Sequence, residues 1–271
     1  MKRNSNKKRN KIIGYILILG GLIIIQAPFS KRIYSRVENN KKIDQVIQIQ
    51  KKDKKKDEIE EKAKKYNQSI KDSDIAMVDP FTNKDVGSVN VLDNKDDIFA
   101  YLLIPKIEVN LPLYLDASYD HIGKGVGQVS GTSIPVGGKS TRSVIAGHRG
   151  WYGQIFLLYV DRLQNEDEIY IKRGDKILTY KVYSKEIIGP YDWEKLRIKK
   201  DEDIITLLTC TPYLVNTHRL LVNAKRVEDS PKEDIETKIK TTEVNKTVKT
   251  TNYIYLIFVI IDFILILLII I

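Results

Sequence analysis

Cys210 is the only cysteine in the 271-residue chain, so no intramolecular disulfide can form. A lone thiol is either a small buried hydrophobe or a nucleophile, and its surroundings decide which. The run Ile204-Ile-Thr-Leu-Leu-Thr-Cys210-Thr-Pro212 reads as a strand that stops at the cysteine, because proline cannot continue a ladder. A second strand opens after a short loop with Thr217-His218-Arg219-Leu-Leu-Val222. Strand alternation puts Arg219 and His218 on opposite faces, so Arg219 is the residue expected to share a face with Cys210. A guanidinium beside a thiol favours the thiolate or stabilises an oxyanion.

A cysteine nucleophile also needs a base or an imidazolium partner. Three histidines are available. His148 lies in Ala146-Gly-His-Arg-Gly150, a glycine-flanked turn after an apolar strand, which exposes an imidazole at another strand end. His121, in Tyr119-Asp-His-Ile-Gly123, reads as a surface or packing residue, and His218 alternates away from Arg219. By elimination His148 is the best partner. One cysteine and three scattered histidines give no metal-ligand spacing, and no cofactor is implied.

The elements that must hold these residues are mostly strands. Short β-branched runs recur at Ala100–Ile104, Ser143–Ala146, Glu168–Lys172, Lys176–Tyr183, Ile204–Thr209 and His218–Asn223. Turn residues separate them, among them Gly137-Gly138, Arg173-Gly174-Asp175 and Gly189-Pro190. Closely spaced short strands predict a mainly β fold, a closed or nearly closed barrel. Upstream, residues 30–74 are rich in Lys, Glu and Gln and carry a thin apolar stripe at helical spacing, which predicts a helical stalk. Residues 228–252 are polar without periodicity and read as a spacer.

The chain carries 45 Lys+Arg against 35 Asp+Glu, a net charge of +10. Such a balance suits nucleic acid, a membrane surface or an anionic wall. Six of the first eleven residues are basic and none is acidic, directly before the apolar run Ile12–Ala27. That arrangement is a topology signal and argues against nucleic acid. We expect a cytoplasmic basic tail (1–11), a transmembrane anchor (12–29) and an extracellular domain, so the protein sits at the cell membrane. The apolar run Tyr253–Ile271, interrupted only by Asp262, is expected to return to the lipid bilayer.

Thr206-Leu-Leu-Thr-Cys210, Arg219 nine residues on and Ala146-Gly-His-Arg149 upstream together resemble the sortase signature. The likeness extends through Lys124-Gly-Val-Gly127, Gly131-Thr-Ser-Ile-Pro-Val-Gly-Gly138 and Cys210-Thr-Pro-Tyr213, into Asn216-Thr-His-Arg-Leu-Leu-Val222. It implies a closed barrel of about eight strands over 91–227, with short helices. Cys210 would be nucleophile, His148 general acid/base, and Arg219 the stabiliser of oxyanion and substrate. Asp79-Pro80-Phe81 resembles the lid motif of class C, pilin-polymerising sortases, within a lid segment 75–90. The resemblance then implies that Asp79 pairs with Arg219 and that Phe81 covers Cys210. It also implies partners: pilin subunits bearing an LPXTG-like sorting signal and an acceptor lysine. A housekeeping sortase that joins surface proteins to cell-wall peptide is the alternative, and a non-enzymatic membrane-tethered binding domain a third reading. The chain departs from the family pattern at Glu166-Asp167, where Gly-Asp is frequent, and at Gln128, where histidine is frequent.

Overall fold

The structure is a computed structural model that describes residues 9–11, 13–24, 27, 45–71, 79–81, 87, 89–150, 156–227, 231–244 and 246–270. Eight strands close a barrel in the order β1-β2-β3-β4-β7-β8-β6-β5. They are β1 (Ala100–Ile104), β2 (Val109–Tyr114), β3 (Val126–Gln128), β4 (Thr141–Ala146), β5 (Glu168–Arg173), β6 (Lys176–Ile188), β7 (Asp203–Thr211) and β8 (His218–Arg226). Six match the runs expected from sequence. β2 and β3 escape that reading: Pro112 interrupts the first, and the second is three residues long beside glycines. β7 ends one residue past the cysteine, at Thr211.

Those glycines have a steric reason. A Cβ on Gly127 would lie 2.2 Å from the Asp116 carbonyl oxygen, and one on Gly125 would lie 2.3 Å from that of Pro112. β3 can lie parallel beside β2 only because these side chains are absent.

The pleat sorts the side chains into two cores. Ile205 and Leu207 of β7, with Val222 of β8, face the main apolar core with Leu102, Leu113, Ile145 and Ile171. Leu208 faces the other way and packs with Val144, Ala146, Leu221, Ile122 and Leu196, against which Phe81 and Trp193 also lie. Cys210 is two residues beyond Leu208 and so belongs to this second row.

The expected stalk is helical where described but does not stand free. Helix α1 (Lys56–Ile70) buries Ile59 and Ala63 against the main core, and Ile70 is buried at its end. Its Asn67 makes a two-way amide contact with Ile134, donating to the carbonyl at 3.0 Å and accepting from the N–H at 2.7 Å. The preceding helical stretch 45–52 packs Ile47 with Tyr101. A one-turn helix, α2 (Tyr119–Ile122), links β2 to β3 and is capped by Ser118.

The expected spacer also differs. It contains helix α3 (Lys232–Thr241), whose Ile235 is buried with Tyr170 and Ile177 while Ile239 packs beside it. Two isoleucines four apart suffice for one narrow stripe against a barrel wall. Helix α4 (Lys246–Ile270) then runs through the C-terminal apolar segment, and its described side chains from Tyr253 on are exposed and apolar. Part of each expected anchor lies outside the described residues. Among the described residues, no helix is long and apolar enough to cross a membrane.

Candidate active site

β7 and β8 run antiparallel with Cys210 directly opposite Arg219, so both side chains emerge on one face. β4 runs parallel to β7 with Ala146 beside Leu208. His148 follows Ala146 by two residues, as Cys210 follows Leu208, which brings the imidazole segment level with the thiol. The turn is fixed by Gly147 donating to the Leu208 carbonyl (3.1 Å) and by the His148 carbonyl accepting from Leu157 (3.1 Å). Beside it, Arg149 donates to Thr211 Oγ1 (2.7 Å) and pairs with Asp161 (3.2 Å).

Asp79-Pro80-Phe81 lies over this face. Asp79 Oδ1 accepts from the Phe81 N–H at 3.0 Å, closing a tight Asx turn. Its Oδ2 receives Arg219 Nη2 at 2.5 Å, and its Oδ1 receives Nε at 3.4 Å. Arg219 also donates through Nη1 to the carbonyls of Asn216 (3.1 Å) and His218 (3.0 Å). The Phe81 ring takes the guanidinium on its face, 5.3 Å from its centroid, and lies 6.0 Å from the His148 ring. Treated as a surface ion pair, Asp79–Arg219 would contribute about 0–1 kcal/mol. The side chains are instead 4% and 3% exposed, so the pair is buried under the lid. Removing one partner of such a pair strands a buried charge, typically at about 3–5 kcal/mol.

The electrostatics describe a quiet site. Burial pushes the Cys210 thiol above its ordinary pKa; Arg219 pulls it down and Asp79 pushes it up again. Burial pushes the His148 imidazole below its ordinary value. At neutral pH both groups are therefore held uncharged. The site in this state is covered and poised rather than reactive.

The other histidines are elsewhere. His218 is exposed and contacts Thr217. His121 is buried, with Nδ1 2.6 Å from Asp116 and Nε2 3.2 Å from Asp96, and it stacks on Tyr114 at 4.2 Å. It thereby ties down α2, and Tyr119 on that helix meets the His148 ring edge-on at 5.9 Å. Neither Tyr119 nor the Asp116–His121 tie has a spacing signal in the sequence. The same holds for Arg142, buried on the row of Val144 and Ala146. It donates to Thr206 Oγ1 (3.2 Å), Asn223 Oδ1 (3.1 Å) and the carbonyls of Lys195 (2.6 Å) and Arg197 (3.0 Å). These bonds pin the turn that carries Trp193 and Leu196 to the wall of the cleft.

The two departures find local explanations. Gln128 donates to the carbonyls of Val129 (2.8 Å) and Thr132 (2.6 Å), stapling its own turn. Glu166 has φ of +69°, where glycine is the unstrained residue.

A strand-end thiol facing an arginine on the neighbouring strand of a closed eight-stranded barrel, with a histidine level with it, defines a cysteine acyl-transfer site on a sortase-type fold. A model of the sortase domain matches residues 102–227. Sortase C1 of GBS pilus island 1 is 32% identical, with a TM-score of 0.64 over 72% of this chain and 99% of that one. Streptococcus pneumoniae sortase C is 35% identical, with a TM-score of 0.62 over 70% and 97%. Sortase SrtE1 of Streptomyces coelicolor is 29% identical over 148 residues; the match spans 49% of this chain and 42% of that protein. The chain belongs to the sortase family, whose members are cysteine transpeptidases. Within the family it is structurally similar to the class C pilin sortases.

Proposed function

We propose that the chain is a class C sortase that polymerises pilins. The observation that carries this reading is the cross-strand pair Cys210–Arg219 beneath Asp79 and Phe81, level with His148. His148 takes the thiol proton as the Cys210 sulfur attacks the Thr carbonyl of an LPXTG-like signal, and Arg219 holds the tetrahedral oxyanion. The Thr–Gly bond then breaks, His148 gives its proton to the departing glycine amine, and a thioester remains on Cys210. A lysine amine of another pilin subunit attacks that thioester. Such an amine is mostly protonated at neutral pH, its ordinary pKa being about 10.4, so His148 must accept a proton as the isopeptide bond forms. Arg219 cannot serve an oxyanion while Asp79 occupies its fork, so the lid has to leave first.

The same reading places the domain outside the cell on two membrane anchors, 12–29 and 253–271, with the N-terminus cytoplasmic. The apolar run from Tyr253, with Asp262 its one charge, supports it, since about 20 apolar residues span the hydrocarbon layer. Purified enzyme incubated with a sorting-signal peptide should give a Cys210-linked thioester by mass spectrometry. Adding lysine-bearing pilin should then give an isopeptide. Transfer only to a wall-peptide amine would replace pilus polymerisation by surface-protein anchoring, and no adduct on Cys210 would end the enzymatic reading.

A further inference from the structure

The chain enters and leaves the barrel at one end. In the stretch 45–52, Gln50 donates to the carbonyls of Ile98 (2.9 Å) and Phe99 (3.1 Å) and accepts from Gly174 (3.1 Å). Val46 and Ile47, nearer its start, pack with Tyr101 and Leu103. Residue 45 is therefore toward the Ile104 end of β1. Helix α3 runs against β5: Lys232 meets Asp175 (2.6 Å), Glu236 meets Lys172 (3.2 Å) and Lys238 meets Glu168 (2.5 Å). Its last turn is thus at the Glu168 end. β1 and β5 are antiparallel, which puts Ile104 and Glu168 at the same end. The pairings of β5 with β6 and of β6 with β8 carry that direction round to Ile188 and Arg219. It is the end that holds Cys210.

This end also shows bare apolar side chains. Tyr191 and Leu214 are 78% exposed, Val215 63% and Tyr213 47%, on the loops that leave β6 and β7. A patch of this kind marks a partner, and tyrosine favours the membrane–water boundary. The opposite end, where Gln50 and Lys51 meet Gly174, leads into the charged run Lys51-Lys-Asp-Lys-Lys-Lys-Asp57. Between α3 and α4 lie only four residues, a reach of at most about 18 Å. Seven further helical residues bring the chain to Tyr253, adding about 10 Å.

We propose that the barrel end bearing Cys210 rests on the outer leaflet, with Tyr191, Tyr213, Leu214 and Val215 in the headgroup layer. The inference rests on the two anchors proposed above. It would hold the cleft beside substrates that are themselves still in the membrane. The other occupant of the patch, the sorting-signal peptide, is separated by experiment.

Full-length chain carrying Cys210→Ala would be reconstituted in phosphatidylcholine/phosphatidylglycerol vesicles containing nickel-chelating lipid. Spin labels would be placed singly at Leu214→Cys and Lys54→Cys. Nickel headgroups should relax the label at 214 several-fold more than the label at 54. Equal relaxation, or the reverse, in vesicle-bound protein overturns the orientation alone. Failure to float with vesicles overturns the anchors and the orientation with them. In the active chain, Leu214→Ser with Val215→Ser should leave KM for a soluble sorting-signal peptide unchanged and slow turnover of a membrane-tethered substrate. A several-fold rise in KM for the soluble peptide would assign the patch to peptide and overturn the proposal.

Discussion

Cys210 and Arg219 face each other because an antiparallel register pairs them, and the two-residue period of a strand was enough to expect it. The contact of Arg219 with Asp79 joins residues 140 apart, and no period reports such a distance; only the likeness to a lid motif suggested it. That pair is buried, and the sequence does not show it, because burial is a property of what lies above it. A consequence follows for the thiol. A pKa above the ordinary value leaves little thiolate at pH 7, so alkylation of Cys210 should be slow. Asp79→Ala with Phe81→Ala removes burial and a negative charge, both of which push that pKa up, and leaves Arg219, which pulls it down. Iodoacetamide labelling should therefore speed up, with its pH midpoint moved lower; an unchanged profile would refute the lid. Arg219→Lys keeps the charge but loses the fork, and kcat for peptide cleavage should fall roughly a hundred- to a thousandfold.

Among the elements, six of the eight strands were legible and their supports were not. α1 was expected as part of a helical stalk with a thin apolar stripe; in the fold that stripe lies against the barrel, and Asn67 supplies what it lacks. Asn67→Ala leaves the Ile134 N–H without its partner, while the Ile134 carbonyl keeps the Val136 N–H, and should cost about 1–3 kcal/mol in urea unfolding. α3 was hidden by composition, two isoleucines among lysines, acids and threonines. Ile235→Ala should cost about 2 kcal/mol, the low end for a truncated buried isoleucine, and should raise amide exchange in 232–241. Glu166 makes the opposite case. Its left-handed backbone costs about 1–2 kcal/mol and glycine's added chain entropy gives back about 0.5–1, so Glu166→Gly should stabilise by up to about 1.5 kcal/mol. Its exposed contact with Lys181 is too solvated to reverse the sign.

At the scale of the molecule, the ring of pairings β1-β2-β3-β4-β7-β8-β6-β5 returns to its start. A sheet with a free border can recruit an extended peptide as one more strand, holding it by main-chain hydrogen bonds whatever its sequence. Here every strand has neighbours on both sides, so that route is closed along the strands and open only past the end of β4, where Thr209–Thr211 of β7 are paired with β8 alone. An incoming peptide is therefore gripped mainly through its side chains and by the walls of the cleft, which makes the enzyme a reader of residue identity. A sorting-signal peptide N-methylated at a backbone position away from the scissile bond should accordingly keep most of its affinity, while changed side chains should not.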